Sequence, residues 1–195
     1  MCVICTAGAG AMPSSLQLAQ MSDANPDGAG VAWFDGRKLH RYRNPDNDKT
    51  LGFIIRNRAA LASMPVLMHF RLATNGPVCE QNTHPFAWSR DGRQGYMAHN
   101  GISRRYSHGP HQCDSRNAIA AWEQGADLSQ GTEGYFASID QTGRLDWLTP
   151  GTPIPGEQGT ITVSNTVWMA AGLDYGYDYQ LYPYWGEDED EEDLR

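Results

Sequence analysis

The second residue of the chain is a cysteine, directly behind Met1. Cysteine is small enough at this position for the methionine to be trimmed in the cell, which would free the Cys2 α-amine. An unperturbed α-amine has a pKa of about 7.7–8.0, against about 10.4 for lysine, so it is a usable base near neutral pH. A terminal thiol of this kind carries its own proton acceptor, directly or through a water. Taken alone, Cys2 also reads as a small buried core residue.

Three further clusters could supply what an acyl-transfer centre needs. Arg71, in His69-Phe-Arg71-Leu-Ala-Thr74-Asn-Gly76, stands where a buried strand opens into a Gly-Pro turn. A guanidinium there can fork onto a carboxylate with two parallel hydrogen bonds, or close a structural salt bridge. Asn100 and Gly101 end the run Ala98-His99-Asn100-Gly101, which pairs with Asn82-Thr-His84-Pro85-Phe86 upstream. A side-chain amide beside an unobstructed glycine N–H makes a two-donor pocket for an oxyanion, or an ordinary Asn-Gly turn. Asp114, in Cys113-Asp114-Ser115, opens a helix; its carboxylate can receive an ammonium or cap that helix. Cys2-Val-Ile-Cys5 satisfies C-x-x-C, but side chains three apart on a strand point to opposite faces. Cys79 and Cys113 form no second closely spaced pair, so no metal site is expected.

These residues need elements to hold them. A short buried strand is expected at 2–5, and Pro13-Ser14-Ser15 opens a helix carrying Leu16, Leu18 and Met21. Asn25-Pro-Asp-Gly28 is a turn before a strand at 30–34. Asp35-Gly36 makes a hairpin to a return strand at 37–43. Asp48 is placed as the cap of a helix over 49–61. Strands follow at 65–70 and 96–99, then a helix from Asp114 or Ser115 with Ala118, Ile119 and Trp122. Further strands are expected at 135–139, 144–148, 160–164 and 166–170, with a Pro/Gly loop over 149–159. Two helical zones and grouped strands predict layered α/β architecture with antiparallel sheets.

The 195 residues suit one domain with appended segments, enough to bury a core without staples. Net charge is -8, which argues against a broad basic surface for nucleic acid. Segment 186–195 holds seven acids and one arginine, leaving about -2 on the rest. It reads as a solvated acidic tail, after a Tyr-rich arm at 171–185. No apolar run approaches the roughly 20 residues of a membrane span. Residues 1–15 lack the basic start of a signal peptide, and four cysteines make no disulfide framework. A reducing cytoplasm is the expected setting.

Taken together, Met-Cys2, Asn25-Pro-Asp-Gly-Ala-Gly30, His69-Phe-Arg71-Leu-Ala-Thr74, Glu80-Gln-Asn-Thr-His-Pro-Phe86, Ala98-His-Asn-Gly101 and Asp114-Ser115 resemble the class II (N-terminal cysteine) glutamine amidotransferase domain of the Ntn-hydrolase superfamily. The Asn-Thr-His-Pro-Phe and His-Asn-Gly forms look most like its stand-alone branch, which includes γ-glutamyl amidohydrolases. Thr162-Val-Ser-Asn-Thr166 also fits a strand of that branch, so the resemblance spans residues 2–170.

The resemblance implies a four-layer α/β/β/α sandwich. It implies Cys2 as nucleophile with its own amine as base, and Asn100 and Gly101 as oxyanion donors. Arg71, aided by Thr74, would hold the α-carboxylate of a γ-glutamyl group, Asp114 would receive its α-ammonium, and His84 would line the pocket. No cofactor is implied. The implied reaction converts glutamine to glutamate and ammonia through a γ-glutamyl thioester, with the ammonia passed to a separate acceptor protein. The alternatives are a hydrolase of another γ-glutamyl conjugate and a catalytically silent binding protein. Leu72 stands where the family often has tryptophan, and Asn75 where histidine is common. The resemblance therefore carries the acyl chemistry further than a strict glutamine preference. The chain holds neither a P-loop nor a Rossmann fingerprint.

Overall fold

The computed structural model describes residues 1–74 and 76–170. The first strand, β1 (Val3–Ala7), is buried along its whole length because it is covered on both faces. Val3, Cys5 and Ala7 point toward helices, while Ile4 and Thr6 point toward a second sheet, the alternation a strand imposes. Helix α1 (Ser15–Asp23) follows. The Ser14 hydroxyl accepts the Gln17 N–H at 3.1 Å and the Gln17 side chain accepts the Ser14 N–H at 2.8 Å. This reciprocal cap satisfies two N-terminal donors.

β2 (Ala29–Phe34) and β3 (Leu39–Asn44) form the expected hairpin around Asp35-Gly36. The helix expected over 49–61 is two pieces, α2 (Asn47–Arg56) and α3 (Arg58–Leu61). Its cap is Asp46, not Asp48: the Asp46 side chain accepts the Asp48 N–H at 3.1 Å. The break falls at Asn57, whose side chain donates to the Phe53 carbonyl and competes for the acceptor that a continuing helix uses.

β4 (Val66–Phe70) leads through a long loop to β5 (Phe86–Arg90) and β6 (Arg93–Asn100). The sequence pattern points to no strand at β5, although Phe86 and Trp88 alternate with exposed residues. α4 (Asp114–Glu123) precedes β7 (Tyr135–Asp140) and β8 (Leu145–Trp147). The loop expected over 149–159 contains β9 (Thr152–Pro155), which pairs with β10 (Thr160–Val163). Two prolines disguise β9, and they are tolerated because it lies at the sheet edge. The strand expected at 166–170 is a 3-10 turn over Val167–Ala170. There the Asn165 side chain captures the Val167 N–H at 3.2 Å and bends the chain away from the sheet.

The strands form a six-stranded sheet, β3-β2-β4-β1-β10-β9, and a four-stranded sheet, β5-β6-β7-β8, with all neighbours antiparallel. Leu18, Met21, Phe53 and Ile54 of α1 and α2 pack on one face of the larger sheet. Ala118 and Ile119 of α4 pack on the outer face of the smaller one against Phe86, Trp88 and Met97. Between the sheets lie Ile4, Ala32 and Leu67 against Ala98, Ala137 and Ile139. The order is helix, sheet, sheet, helix, as expected. The Tyr-rich arm and the acidic tail lie outside the described residues.

Candidate active site

The ends of β1, β4 and β6 converge at one rim of the sandwich. Val3 is opposite Phe70 in the β1–β4 register, so Cys2 and Arg71 lie side by side just past the paired residues. A cleft of about 240 Å³ opens there, lined by Cys2, Arg71, Thr74, His84, Gly101 and Asp114. Six of the seven expected site residues thus share one cavity, although they are spread over more than half of the chain.

Cys2 Sγ sits against the backbone of Leu72, 3.3 Å from its N–H and 3.4 Å from its carbonyl oxygen. Burial pushes the thiol pKa up. The Leu72 hydrogen bond, the amino-terminal charge and Arg71 oppose that shift. At neutral pH the sulfur therefore holds its proton until a base takes it.

Arg71 is almost wholly buried, and its Nη1 donates to the Pro77 carbonyl at 3.1 Å. Its backbone is clamped to the Asn25–Gly28 turn: Arg71 N–H donates to Gly28 O at 2.8 Å, and Asp27 N–H donates to Arg71 O at 2.9 Å. The Asp27 carboxylate also accepts the Ala73 N–H at 2.7 Å. Asp27 therefore positions the Arg71–Ala73 segment, a role the sequence reading did not assign. The turn motif around it was the available signal. Thr74 is exposed at the mouth of the cleft.

Asn100 lies at the end of β6 with its side chain turned toward Ser164. Its Nδ2 donates to Ser164 Oγ at 2.9 Å, and Ser164 Oγ also accepts the Ile4 N–H at 3.0 Å. One amide hydrogen of Asn100 is thereby used, and the second remains for another acceptor. Its Oδ1 is buried with no hydrogen-bond partner among the described residues. Ser164 is a second residue without an assigned role in the sequence reading; it lies inside the Thr162–Thr166 motif. Gly101 has φ +146° and would bring a Cβ to 2.9 Å from Gly134 Cα, so only glycine fits there.

Asp114 is the first helical residue of α4, behind Cys113. Its Oδ2 accepts the Ser103 N–H at 2.8 Å, which ties the Gly101–Ser103 loop to the helix. His99 stacks on Phe136 at 4.3 Å and is fixed at both ring nitrogens. Nε2 donates to the Glu133 carbonyl at 2.8 Å, so Nδ1 accepts from the Ser115 hydroxyl at 2.8 Å.

His84 is different. It is buried beside His69 and Phe86, each ring 4.2 Å away, and neither of its nitrogens has a hydrogen-bond partner among the described residues. Burial first, then the charges of neighbouring groups, holds its pKa well below the ordinary value. It forms part of the cleft wall as a neutral imidazole whose two nitrogens are buried. His69 donates through Nε2 to the His99 carbonyl at 3.0 Å, and burial lowers its pKa to about 3. No group of three His, Cys, Asp or Glu side chains among the described residues is arranged to hold a metal ion.

Comparison with known proteins places this architecture. Residues 12–115 match the family of class-II glutamine amidotransferases, a stretch that contains Arg71, Thr74, His84, Asn100, Gly101 and Asp114 and begins after Cys2. A Haemophilus influenzae protein provisionally named a glutamine amidotransferase is 36% identical over 86 residues, covering 43% of this chain and 29% of that protein. The glutamine phosphoribosylpyrophosphate amidotransferase of B. subtilis superposes with a TM-score of 0.54 at 17% identity, covering 88% of this chain and 43% of that one. An allosteric regulatory enzyme of purine biosynthesis superposes with a TM-score of 0.59 at 16% identity, over 87% and 43% of the respective chains. The two structures share the fold, and the chain spans under half the length of each of these three proteins. With more than half of its residues inside the family match, the chain belongs to the class-II glutamine amidotransferases.

Proposed function

We propose that the chain hydrolyses the side-chain amide of L-glutamine, releasing glutamate and ammonia, through a γ-glutamyl thioester on Cys2. The observation that carries this reading is the convergence of the Cys2 thiol, the Arg71 guanidinium and the Asp114 carboxylate on one small cleft. The pair of charges matches the α-carboxylate and α-ammonium of an amino acid. The thiol shares that cleft and is the nucleophile that can meet the side-chain amide of a substrate held there.

Met1 removal frees the Cys2 amine, which takes the thiol proton as sulfur attacks the amide carbon. The oxyanion so formed is held by the second Nδ2 hydrogen of Asn100 and the Gly101 N–H. The tetrahedral intermediate collapses as the leaving nitrogen takes up the proton and departs as ammonia. Water, deprotonated by the same amine, then cleaves the thioester, restoring the thiol and releasing glutamate. Arg71 and Thr74 hold the α-carboxylate, and His84 lines the pocket.

The test is ammonia and glutamate release from glutamine and a series of γ-glutamyl amides, in wild type and Cys2→Ala. Turnover of glutamine that disappears in Cys2→Ala supports the reading. Turnover of another γ-glutamyl amide with glutamine inert would reassign the leaving group. Activity retained in Cys2→Ala would overturn the mechanism.

A further inference from the structure

A second cavity, of about 320 Å³, lies behind the catalytic cleft between β3, β5 and the side of α4. Its walls carry three guanidiniums, from Arg41, Arg43 and Arg116, against one carboxylate, Glu123. Arg41 and Arg43 are two apart on β3, so they point to the same face of the sheet. Glu123 is engaged elsewhere: its Oε1 accepts the Ser89 backbone N–H at 2.6 Å. Glu80 approaches Arg43 only to 3.7 Å, with its own side chain 64% exposed. The body of the chain is close to neutral, so this clustering of positive charge is local.

The guanidiniums are held in place. Arg41 donates to the Pro85 carbonyl at 3.1 Å and lies 4.7 Å over the Tyr96 ring. Arg43 donates to the Thr83 carbonyl at 2.7 Å. Its Nε is buried with no hydrogen-bond partner among the described residues. Arg116 lies over Phe86 at 5.9 Å. Burial lowers the Arg43 pKa and the charges of Arg41 and Arg116 lower it further, with Glu80 opposing them. Guanidiniums gathered on the walls of one cavity are matched by an anion with several oxygens.

We propose that this cavity binds an organic phosphate monoester, its phosphate on Arg41, Arg43 and Arg116 and its organic part against Phe86 and Ile119. A phosphate monoester carries about -1.5 to -2 charges at neutral pH, which matches the surplus of two positive charges on the walls. The cavity is larger than a bare phosphate needs, and Phe86, Ala87, Ile119 and Ala120 give it an apolar side beside the polar Gln81 and His111. The site is distinct from the Cys2 cleft, and its occupancy does not depend on glutamine chemistry.

Titration calorimetry on the full chain, at constant ionic strength, tests this with inorganic phosphate, phenyl phosphate and malonate. Saturable phosphate binding is expected, with phenyl phosphate tighter and malonate weaker. Arg116→Gln and Arg41→Gln should each weaken phenyl phosphate binding roughly tenfold or more, as expected for loss of a charge-assisted contact. Two variants guard against misfolding of one, and a thermal melt of each without ligand identifies a folding defect. Absence of saturable phosphate binding, malonate binding as tightly as phosphate, or unchanged affinity in a folded variant would each overturn the proposal.

Discussion

Cys2 Sγ and the backbone of Leu72 face each other across 3.3 Å at the N–H and 3.4 Å at the carbonyl. The carbonyl accepts from the neutral thiol and the N–H stabilises the thiolate, so the backbone of one residue serves both protonation states. No side-chain substitution at Leu72 deletes that contact. This explains how leucine can stand where relatives often carry tryptophan without removing the support of the sulfur.

Arg71→Lys keeps the charge and loses the planar fork. Charged hydrogen bonds are worth about 1.5–3 kcal/mol, so KM for glutamine should rise roughly tenfold or more while kcat changes less. Steady-state glutaminase kinetics check this, and unchanged KM would place the α-carboxylate elsewhere.

Ser164→Ala removes the acceptor shared by Asn100 Nδ2 and the Ile4 N–H. A buried donor left without a partner costs about 1–3 kcal/mol, so the melting temperature should fall. With its anchor gone the Asn100 amide is free to rotate, and kcat should fall more than KM rises. Ser164→Thr, which keeps the hydroxyl, should recover much of kcat. A variant altered in stability alone would confine Ser164 to the sheet.

Gly30→Ala should be costly although φ there is ordinary. A Cβ at Gly30 would fall 2.0 Å from the His84 carbonyl oxygen and 2.9 Å from Arg43 Cβ. The His84-Pro85 segment must move, at a cost of about 1–3 kcal/mol for overpacking. Denaturant unfolding reads the loss, and glutaminase activity should fall with it. Wild-type stability in Gly30→Ala would show that the segment shifts freely.

The buried histidines make stability fall in acid. His69, His84 and His99 all have folded pKa values below the ordinary 6.5, chiefly through burial. Below that pH the unfolded chain binds protons the folded chain refuses, so unfolding free energy decreases as pH drops. The contribution is complete above about 6.5 and, for His69, is lost progressively down to about 3. Each such histidine adds up to about 1.36 kcal/mol per pH unit. Denaturant unfolding between pH 7 and 5 should show the decline, with a shallower slope in His84→Gln. A flat profile would mean these rings take up protons without unfolding.

The sequence was most informative where one residue acts through its own side chain and a local pattern. Ser14 signals α1, Asp35-Gly36 signals the β2–β3 hairpin, and Cys2, Arg71, Thr74, His84, Gly101 and Asp114, singled out by their motifs, line one cleft. It is silent where backbone groups or partners distant along the chain do the work. The Leu72 N–H carries no residue-type signature. The Asp27–Ala73 and Asn100–Ser164 contacts span 46 and 64 positions, so no window along the chain shows them. β9 was hidden because proline discourages a strand reading, and only its edge position makes proline acceptable there.

The pairing of β1 with β10 has a consequence for dissecting the protein. Cys5, Thr6 and Ala7 are opposite Val163, Thr162 and Ile161, and the Asn165 side chain donates to the Cys2 carbonyl at 2.9 Å. Every residue assigned to the chemistry lies at or before position 114, and the family match stops at 115. A fragment cut there would nevertheless strip β1 of one neighbour and leave its backbone donors and acceptors as a naked edge, open to pairing with other chains. Such a fragment should precipitate rather than hydrolyse anything. The shortest autonomous unit must therefore reach past Asn165, because the strand that follows Cys2 is walled in by residues outside the family match.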